Sequence, residues 1–387
     1  MATDTLTPTT TTDTLSAGDD LVAWAKSVGP DLAAEAEAHD RDGSWVAGSY
    51  ERLRAAGYLT AAVPVELGGL GATIRDLTLA QRELARFCAS TALASSMHQH
   101  VTAFTAWRYR RDMPGAEATL RRVVDDGIVL VSSGGGDFTH PRGEAVRVDG
   151  GFRVSGRKPF ASQAPVGSVV STMFTYDDPE QGLRVINTAV PLADPGVRID
   201  ETWDALGMRG TGSHDLVIDD VFIPDEKIMA NRPHGVLDPP LQVILSVAMP
   251  IISGVYLGVA ESARDHAVAV VGRPDDPSTQ RRVGLMDTRL RVARWALEGA
   301  LATVGDDPAP SMETVADVLA AKREVTLAGQ EVCDLAMAVA GGRAFAKGSP
   351  IERAYRDIRG AAFHPLDPEQ SLLHAGRLAL GEPSDAW

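Results

Sequence analysis

The sequence predicts an α+β protein in which a helical domain, a β domain and a second helical domain follow one another along the chain. Alanine and leucine recur at helical spacing before residue 128 and again after residue 237. Between these segments, residues 129–233 are rich in valine, threonine and glycine and contain short alternating runs. Helices, then strands, then helices are typical of an α+β arrangement and not of repeated β-α-β units.

The N-terminal part is interpreted as a tail followed by a helical domain. Residues 1–18 are rich in threonine and lack a basic segment followed by an apolar one, so we expect a disordered tail and not a signal peptide. Residues 19–128 form the predicted N-terminal helical domain, and Leu77 to Arg86 shows its apolar periodicity most clearly. Gly29-Pro30 is expected to interrupt one of its helices.

The remaining two domains are bounded by changes in pattern. Residues 129–236 form the predicted central β domain, in which Asp149-Gly150-Gly151 is a turn between alternating runs. Residues 237–387 form the predicted C-terminal four-helix bundle. Its breaks are rich in proline, glycine and aspartate, which is typical of short connections between antiparallel helices.

Composition excludes several classes of function. The formal net charge of −15 argues against binding nucleic acid or an anionic membrane through bulk electrostatics. No apolar run is expected to span a bilayer, so we predict a cytoplasmic protein. Cys88 and Cys333 lie in apolar helical stretches and are expected to be buried thiols. The spacing of His, Cys, Asp and Glu predicts no metal site.

Several short motifs occur in a fixed order after residue 60. They are Pro64 to Gly71, Ser90 to His98, Gly156 to Ser162, Trp203 to Pro224, and Gly341-Gly342 followed by Arg353 to Asp357. Together they resemble the acyl-CoA dehydrogenase superfamily over nearly the whole chain after the tail. The resemblance implies a flavin held between the β domain and the C-terminal bundle, usually in a homodimer or homotetramer.

One departure from the family pattern indicates the chemistry. The family's catalytic Tyr-Glu-Gly-Thr is replaced by Phe363-His364-Pro365-Leu366, and Pro365 occupies the place of the glutamate. A second position used for the base in some members falls near Ala248, where no carboxylate occurs. A thioester dehydrogenation therefore lacks its expected base, which must reach the proton that it removes.

A branch of the superfamily that has also lost this glutamate resembles the chain more closely. Its members are two-component flavin monooxygenases of the dibenzothiophene monooxygenase type, which receive reduced flavin from a separate reductase and transfer one oxygen atom from O₂. The resemblance implies FAD, or reduced FMN supplied by a reductase, and a small organic substrate. It also implies that His98 and His364 are catalytic, since imidazoles can supply hydrogen bonds beside the flavin.

The resemblance also assigns the cofactor contacts. We expect seven residues to bind flavin: Ser132, Ser133, Phe160 and Ser162 on the isoalloxazine side, and Gln280, Gly341 and Gly342 on the adenylate side. Each has a structural alternative. A serine at a strand edge can bond its own backbone, and Gly-Gly can end a helix. Likewise, His98 can be a core histidine, and His364 can cap the preceding helix.

Two other functions compete with the oxygenase. One is an atypical acyl-CoA or acyl-carrier-protein dehydrogenase that uses Asp367, Glu369 or His364 as the base. The other is a non-catalytic assembly partner that kept the fold and the surface for self-association.

Overall fold

A computed structural model describes residues 14–133, 137–138, 140–272 and 275–382. Five helices precede a single eight-stranded sheet, and a second set of helices follows it, so the predicted α+β fold class is confirmed. The largest core cluster joins both helical domains. A second core cluster fills the β domain.

The N-terminal domain consists of five α-helices whose starts are encoded locally. Asp20 caps the first helix, and Thr73 and Asp76 form a capping box at the start of the third. Gly29-Pro30 does not interrupt the first helix. A Cβ at Gly29 would lie 2.4 Å from the Phe87 ring, so this glycine permits close packing. The helices are α1 (Leu21–Asp42), α2 (Ala47–Ala55), α3 (Ile74–Ala85), α4 (Ala89–Tyr109) and α5 (Ala116–Asp125).

The predicted disordered tail is too long. Residues 1–13 lie outside the described residues, but Leu15 is buried with only 8% of its surface exposed. Its backbone N–H donates to the carbonyl of Ala56, 2.9 Å away. Leu15 is an isolated apolar residue in a polar segment, so no periodicity in the sequence indicated its burial.

The β domain is a sheet with the strand order β6-β7-β3-β2-β4-β5-β8, and β1 pairs in parallel with β4. Buried Lys158 stabilises its centre. The ammonium group lies 2.7 Å from the Asp137 carboxylate and also donates to the carbonyls of Arg142 and Met173. The strands are β1 (Leu130–Ser132), β2 (Glu144–Val148), β3 (Gly151–Ala161), β4 (Val169–Asp178), β5 (Gly182–Pro191), β6 (Val197–Asp200), β7 (His214–Pro224) and β8 (Ile228–Pro233).

Three long helices, α6, α7 and α8, dominate the C-terminal domain. By length and composition α6 could cross a membrane, contrary to the expectation from sequence, but its apolar stretch is entirely buried in the protein. It packs tightly on α3, since a Cβ at Gly258 would lie 2.1 Å from the Arg82 carbonyl. The α-helices are α6 (Pro239–Val271), α7 (Pro277–Val304), α8 (Met312–Ala340), α9 (Gly342–Phe345), α10 (Pro350–Asp357) and α11 (Pro368–Ala379).

Candidate active site

The β-domain side of the site presents an exposed aromatic ring. Phe160 has a φ of +60°, a left-handed conformation that is unusual for a bulky residue, and it lies at a register irregularity between β3 and β7. Such irregularities often redirect a side chain beside an active site. The Phe160 ring is 60% exposed and meets the Trp203 ring edge to face, with centroids 6.1 Å apart.

Three buried hydroxyl groups lie in a row beside this wall. The Ser162 Oγ is 2.7 Å from the Ser213 Oγ, which is 2.7 Å from the Thr211 Oγ1. Thr211 in turn donates to the carbonyl of Met208 over 2.9 Å. We call Ser162, Ser213 and Thr211 the hydroxyl chain. It connects the end of β3 to the segment of residues 203–213, which we call the linking loop.

Ser132 and Ser133 lie on opposite faces of the sheet. Leu130, on the same face as Ser132, packs against the N-terminal helices, whereas Val131 packs inside the β domain. Since side chains alternate along a strand, Ser132 faces the helices and Ser133 faces the interior of the β domain. The Ser133 hydroxyl is buried without a hydrogen-bond partner in the described part of the chain. The flavin contact of Ser133 stays a prediction, since residues 134–136, which follow it, lie outside the described residues.

The linking loop joins the β domain to the C-terminal domain. The Met208 N–H donates to the carboxylate of Asp357, the last residue of α10. A Cβ at Gly207 would lie 2.5 Å from the Arg356 backbone, so only glycine permits this approach. Burial raises the pKa of Asp357 to about 6. The two sides of the site are therefore held together through the backbone of one loop.

On the helical side, His364 follows the 3₁₀-helix Ile358–Phe363 and contacts two other helices. Its Nε2 lies 2.8 Å from the hydroxyl of Tyr256 on α6. Lys322 on α8 is buried and donates to the carbonyls of His364, 2.6 Å away, and Leu366. Burial, together with Lys322 and His100, lowers the pKa of His364 to about 3, so the ring is neutral at pH 7.

His100, which the sequence analysis did not select, joins this group from α4. Its Nδ1 lies 3.0 Å from the Ser96 carbonyl, and a carbonyl can only accept, so Nδ1 carries the hydrogen and Nε2 has a lone pair. Within the described residues Nε2 makes no hydrogen bond, and 5% of the His100 surface is exposed. Burial lowers the pKa of His100 to about 4. We call His100, Tyr256, Lys322 and His364 the imidazole cluster.

The predicted catalytic role of His98 is a misassignment. Its Nε2 bonds the Leu59 carbonyl at 2.7 Å, and its Nδ1 accepts from the Leu130 N–H at 3.0 Å. Both strong hydrogen-bonding positions of the ring are therefore occupied by backbone. Burial lowers its pKa to about 4, and the ring is fully inaccessible. His98 joins α4 to strand β1, and we assign it a structural role.

The two carboxylates that follow His364 in sequence, Asp367 and Glu369, do not face the imidazole cluster. Asp367 caps α11 by accepting from the backbone N–H groups of Glu369 and Gln370, at 2.9 and 2.8 Å. Glu369 itself is exposed in the first turn of α11. Neither residue is a buried carboxylate facing the imidazole cluster, so of the three bases suggested for the alternative dehydrogenase only His364 remains in the site.

The residues predicted for the adenylate side lie in open positions. Gln280 is exposed in the first turns of α7. Gly341 has a φ of +62° and ends α8, with no atom within 4 Å of the place where a Cβ would stand. A large group could therefore approach this backbone without a clash. Gly342 begins α9 directly afterwards.

Together these groups suit a flavin ring. A flavin needs an apolar wall and hydrogen-bonding groups at its polar edge, which the exposed Phe160 ring and the hydroxyl chain offer. Phe363, which directly precedes His364, is an aromatic ring that is 88% exposed. No group of three His, Cys, Asp or Glu residues that could hold a metal occurs among the described residues.

Comparison with known proteins identifies the family. Models of the acyl-CoA dehydrogenase N-terminal, middle and C-terminal domains match residues 23–110, 132–221 and 245–364. The chain belongs to the acyl-CoA dehydrogenase family. The amino sugar nitrososynthase DnmZ of Streptomyces peucetius is 30% identical to it over 91% of each chain. YdbM of Bacillus subtilis, named as a candidate acyl-CoA dehydrogenase, is 30% identical over 91% of this chain and 94% of its own.

A solved structure is also similar to this protein over nearly the whole chain. The protein KijD3, in complex with FMN and an amino-keto sugar nucleotide, has a TM-score of 0.85 and 29% identity, covering 98% of this chain and 96% of its own. Other relatives are named as monooxygenases or hydroxylases. The predicted class, a flavin-dependent oxidoreductase with a monooxygenase favoured over a dehydrogenase, is therefore confirmed.

Proposed function

We propose that this protein is the oxygenase component of a two-component system that uses reduced FMN or FAD and O₂ to oxygenate a small organic substrate. The observation that supports the proposal is the imidazole cluster. In it the neutral ring of His364 directly precedes Pro365, which occupies the place of the family's glutamate, and the neutral ring of His100 lies buried near enough to lower the pKa of His364. When bound, reduced flavin supplies the electrons that activate O₂. Neutral donors and acceptors suit this chemistry better than a second negative charge.

We assign a role in substrate binding or positioning to each residue of the imidazole cluster. His100 Nε2, which has a lone pair, accepts a hydrogen bond from an N–H or O–H group of the substrate. His364 keeps one ring nitrogen free of protein partners in the described residues, because Tyr256 occupies the other. It contacts the reacting atoms, while Tyr256 and Lys322 hold it in place. Phe160, Ser132 and Ser162 line the flavin ring, and Gln280, Gly341 and Gly342 contact the adenylate when the flavin is FAD.

Amines are the substrate class to test first. Two relatives, DnmZ and an isobutylamine N-hydroxylase of Streptomyces viridifaciens, carry names that refer to amino groups. The site offers a matching feature, since the lone pair of His100 can accept a hydrogen bond from an amine N–H. An alcohol could make the same contact, so primary amines and the corresponding alcohols should be compared at equal concentration.

Anaerobic flavin titration followed by mixing with oxygen tests the proposal. We expect reduced FMN to bind, and its reoxidation by O₂ to pass through a transient absorbance distinct from free reduced and oxidised flavin. Adding a substrate should lower the yield of hydrogen peroxide. Butyryl-CoA should not reduce bound oxidised flavin in the absence of oxygen. Reduction by the thioester would instead establish the dehydrogenase, and failure to bind either flavin in either redox state would favour the assembly partner.

We further propose that the protein self-associates and receives flavin from a separate reductase in the cytoplasm. Leu285, Val292 and Trp295 are exposed along α7 at spacings of seven and three residues, which places them on one face. An exposed apolar face of this kind is typical of a surface that another protein covers. Light scattering should give the mass of a dimer or tetramer, and Trp295→Glu should lower it. A monomer at micromolar concentration would contradict the proposal.

A further inference from the structure

The hydroxyl chain has a direction that follows from counting hydrogens. Each of Ser162, Ser213 and Thr211 has one hydroxyl hydrogen, and the chain contains three contacts in all. The last contact ends on the Met208 carbonyl, which can only accept. Thr211 must therefore donate to Met208. Ser213 must then donate to Thr211, and Ser162 must donate to Ser213.

The opposite direction would leave an unfavourable contact in a buried place. If Thr211 donated to Ser213, its Oγ1 would face the Met208 carbonyl oxygen over 2.9 Å with no hydrogen between them. Thr211 is fully buried and Ser213 is only 4% exposed, so water cannot relieve that contact. The Met208 carbonyl also accepts from the Trp203 Nε1–H at 3.0 Å and from the Thr211 N–H at 3.1 Å, so it would keep other donors. The cost of the reversed direction is the repulsion between two oxygens 2.9 Å apart, and this cost favours donation from Thr211 to Met208.

The consequence for Ser162 is that its own hydrogen points back into the protein. Its oxygen then presents only lone pairs to a group on the other side. Oxidised flavin has a lone pair at N5, whereas reduced flavin has an N5–H. With Ser162 placed opposite N5, as the proposal requires, its lone pair would attract the reduced form and repel the oxidised form.

Building on the proposed function, we propose that Thr211 and Ser213 are positioning residues that make Ser162 a hydrogen-bond acceptor towards the flavin, so that the site favours reduced over oxidised flavin. The hydroxyl chain consists only of neutral hydroxyl groups. The preference therefore does not depend on the titration of any member of the chain. Such a preference suits an oxygenase that takes up reduced flavin from a reductase, because oxidised flavin is then released after each turnover.

Thr211→Val is the decisive variant, since valine keeps the shape of threonine and removes the hydroxyl. Ser213 and Ser162 can then rotate so that Ser162 donates to the flavin. We expect the ratio of the dissociation constants of oxidised and reduced FMN, measured anaerobically, to fall about three- to tenfold, the worth of one neutral hydrogen bond. Thr211→Ser restores the hydroxyl and should restore the ratio.

Thr78→Val is the matched control. Thr78 is also a fully buried threonine, and its hydroxyl donates to the carbonyl of Ile74 within α3. This variant removes a comparable buried hydroxyl away from the hydroxyl chain and should leave the ratio unchanged. If Thr211→Val does not fold, Ser213→Ala interrupts the same chain at its middle member and should lower the ratio in the same direction.

The outcomes separate this inference from the proposed function. Equal affinity of the wild type for both redox states, or an unchanged ratio in folded Thr211→Val, overturns the inference while the oxygenase proposal stands. Absence of flavin binding in either state overturns the proposed function itself. A ratio that falls in Thr211→Val and recovers in Thr211→Ser supports the direction of the chain, because loss of packing alone would not discriminate between redox states.

Discussion

Two histidines on helix α4, separated by one residue, differ in almost every respect except their burial. The ring of His98 is bonded to backbone at both nitrogens and joins the N-terminal helices to strand β1. The ring of His100 bonds its own helix at one nitrogen, and its other nitrogen makes no hydrogen bond within the described residues. Burial lowers the pKa of both to about 4. A lowered pKa therefore does not distinguish a catalytic histidine from a structural one. The role proposed for His100 rests on its second ring nitrogen, which makes no hydrogen bond in the part of the chain that the structure describes.

The largest expected effect comes from replacing His100 and His364, each of which has one ring nitrogen without a hydrogen-bond partner among the described residues. His100→Gln and His364→Gln should each lower the rate of substrate oxygenation by about 10²–10⁴-fold, as is usual for a positioned proton donor or acceptor. Binding of reduced flavin should largely survive, because neither ring is proposed to hold the flavin. Product formation and peroxide release in single-turnover experiments measure the effect. His39→Gln, on the partly exposed end of α1, is the control, and an equal loss there would contradict the assignment.

His98→Phe should affect stability and spare the chemistry. The substitution leaves the Leu59 carbonyl and the Leu130 N–H buried without partners, which should destabilise the fold by about 2–5 kcal/mol. Urea unfolding followed by circular dichroism measures this difference. The folded fraction should oxygenate substrate at nearly the wild-type rate. A variant that keeps its stability and loses activity would reverse the roles of the two histidines.

Lys322→Met tests whether the position of His364 matters as much as its presence. Without the ammonium group, the carbonyls of His364 and Leu366 lose their donor and the ring can shift. A shift on the order of 1 Å can lower a rate by about 10²-fold, so we expect a loss of that order or somewhat less. Single-turnover oxygenation measures it. Lys347→Met removes an exposed lysine and should behave as the wild type.

The smallest effect is a pH dependence that distinguishes wild type from His98→Phe. The pKa of His98 is about 4 in the folded protein and near 6.5 when unfolded, so its stabilising contribution is present above pH 6.5 and lost as pH falls towards 4. The stability deficit of His98→Phe should therefore shrink by roughly 2 kcal/mol between pH 7 and pH 4.5. The raised pKa of Asp357 acts in the opposite direction but is common to both proteins. A constant deficit would contradict the neutral, buried state of His98.

The order of the domains and several of their parts were determined by local sequence. Periodicity gave the two helical domains and the β domain, because an amphipathic helix and an alternating strand each carry their own repeat. Local chemistry also sets the helix starts, as at Thr73 and Asp76. The replacement of the family's glutamate by Pro365 could be recognised by comparing short motifs alone. It already favoured an oxygenase over a dehydrogenase.

Only the tertiary structure decided which residues could act. His98 and His100 have the same local surroundings in an alanine-rich helix, and the backbone groups that occupy His98 belong to Leu59 and Leu130, 39 and 32 residues away. In sequence, Lys322 lies 42 residues from His364, and Tyr256 lies 108 residues from His364. No motif of fixed spacing could connect these three residues. The direction of the hydroxyl chain likewise depends on a carbonyl of the linking loop. Hydrogen bonds from distant segments occupy both ring nitrogens of His98. The proposed site uses instead the ring nitrogens of His100 and His364 that have no such partner among the described residues.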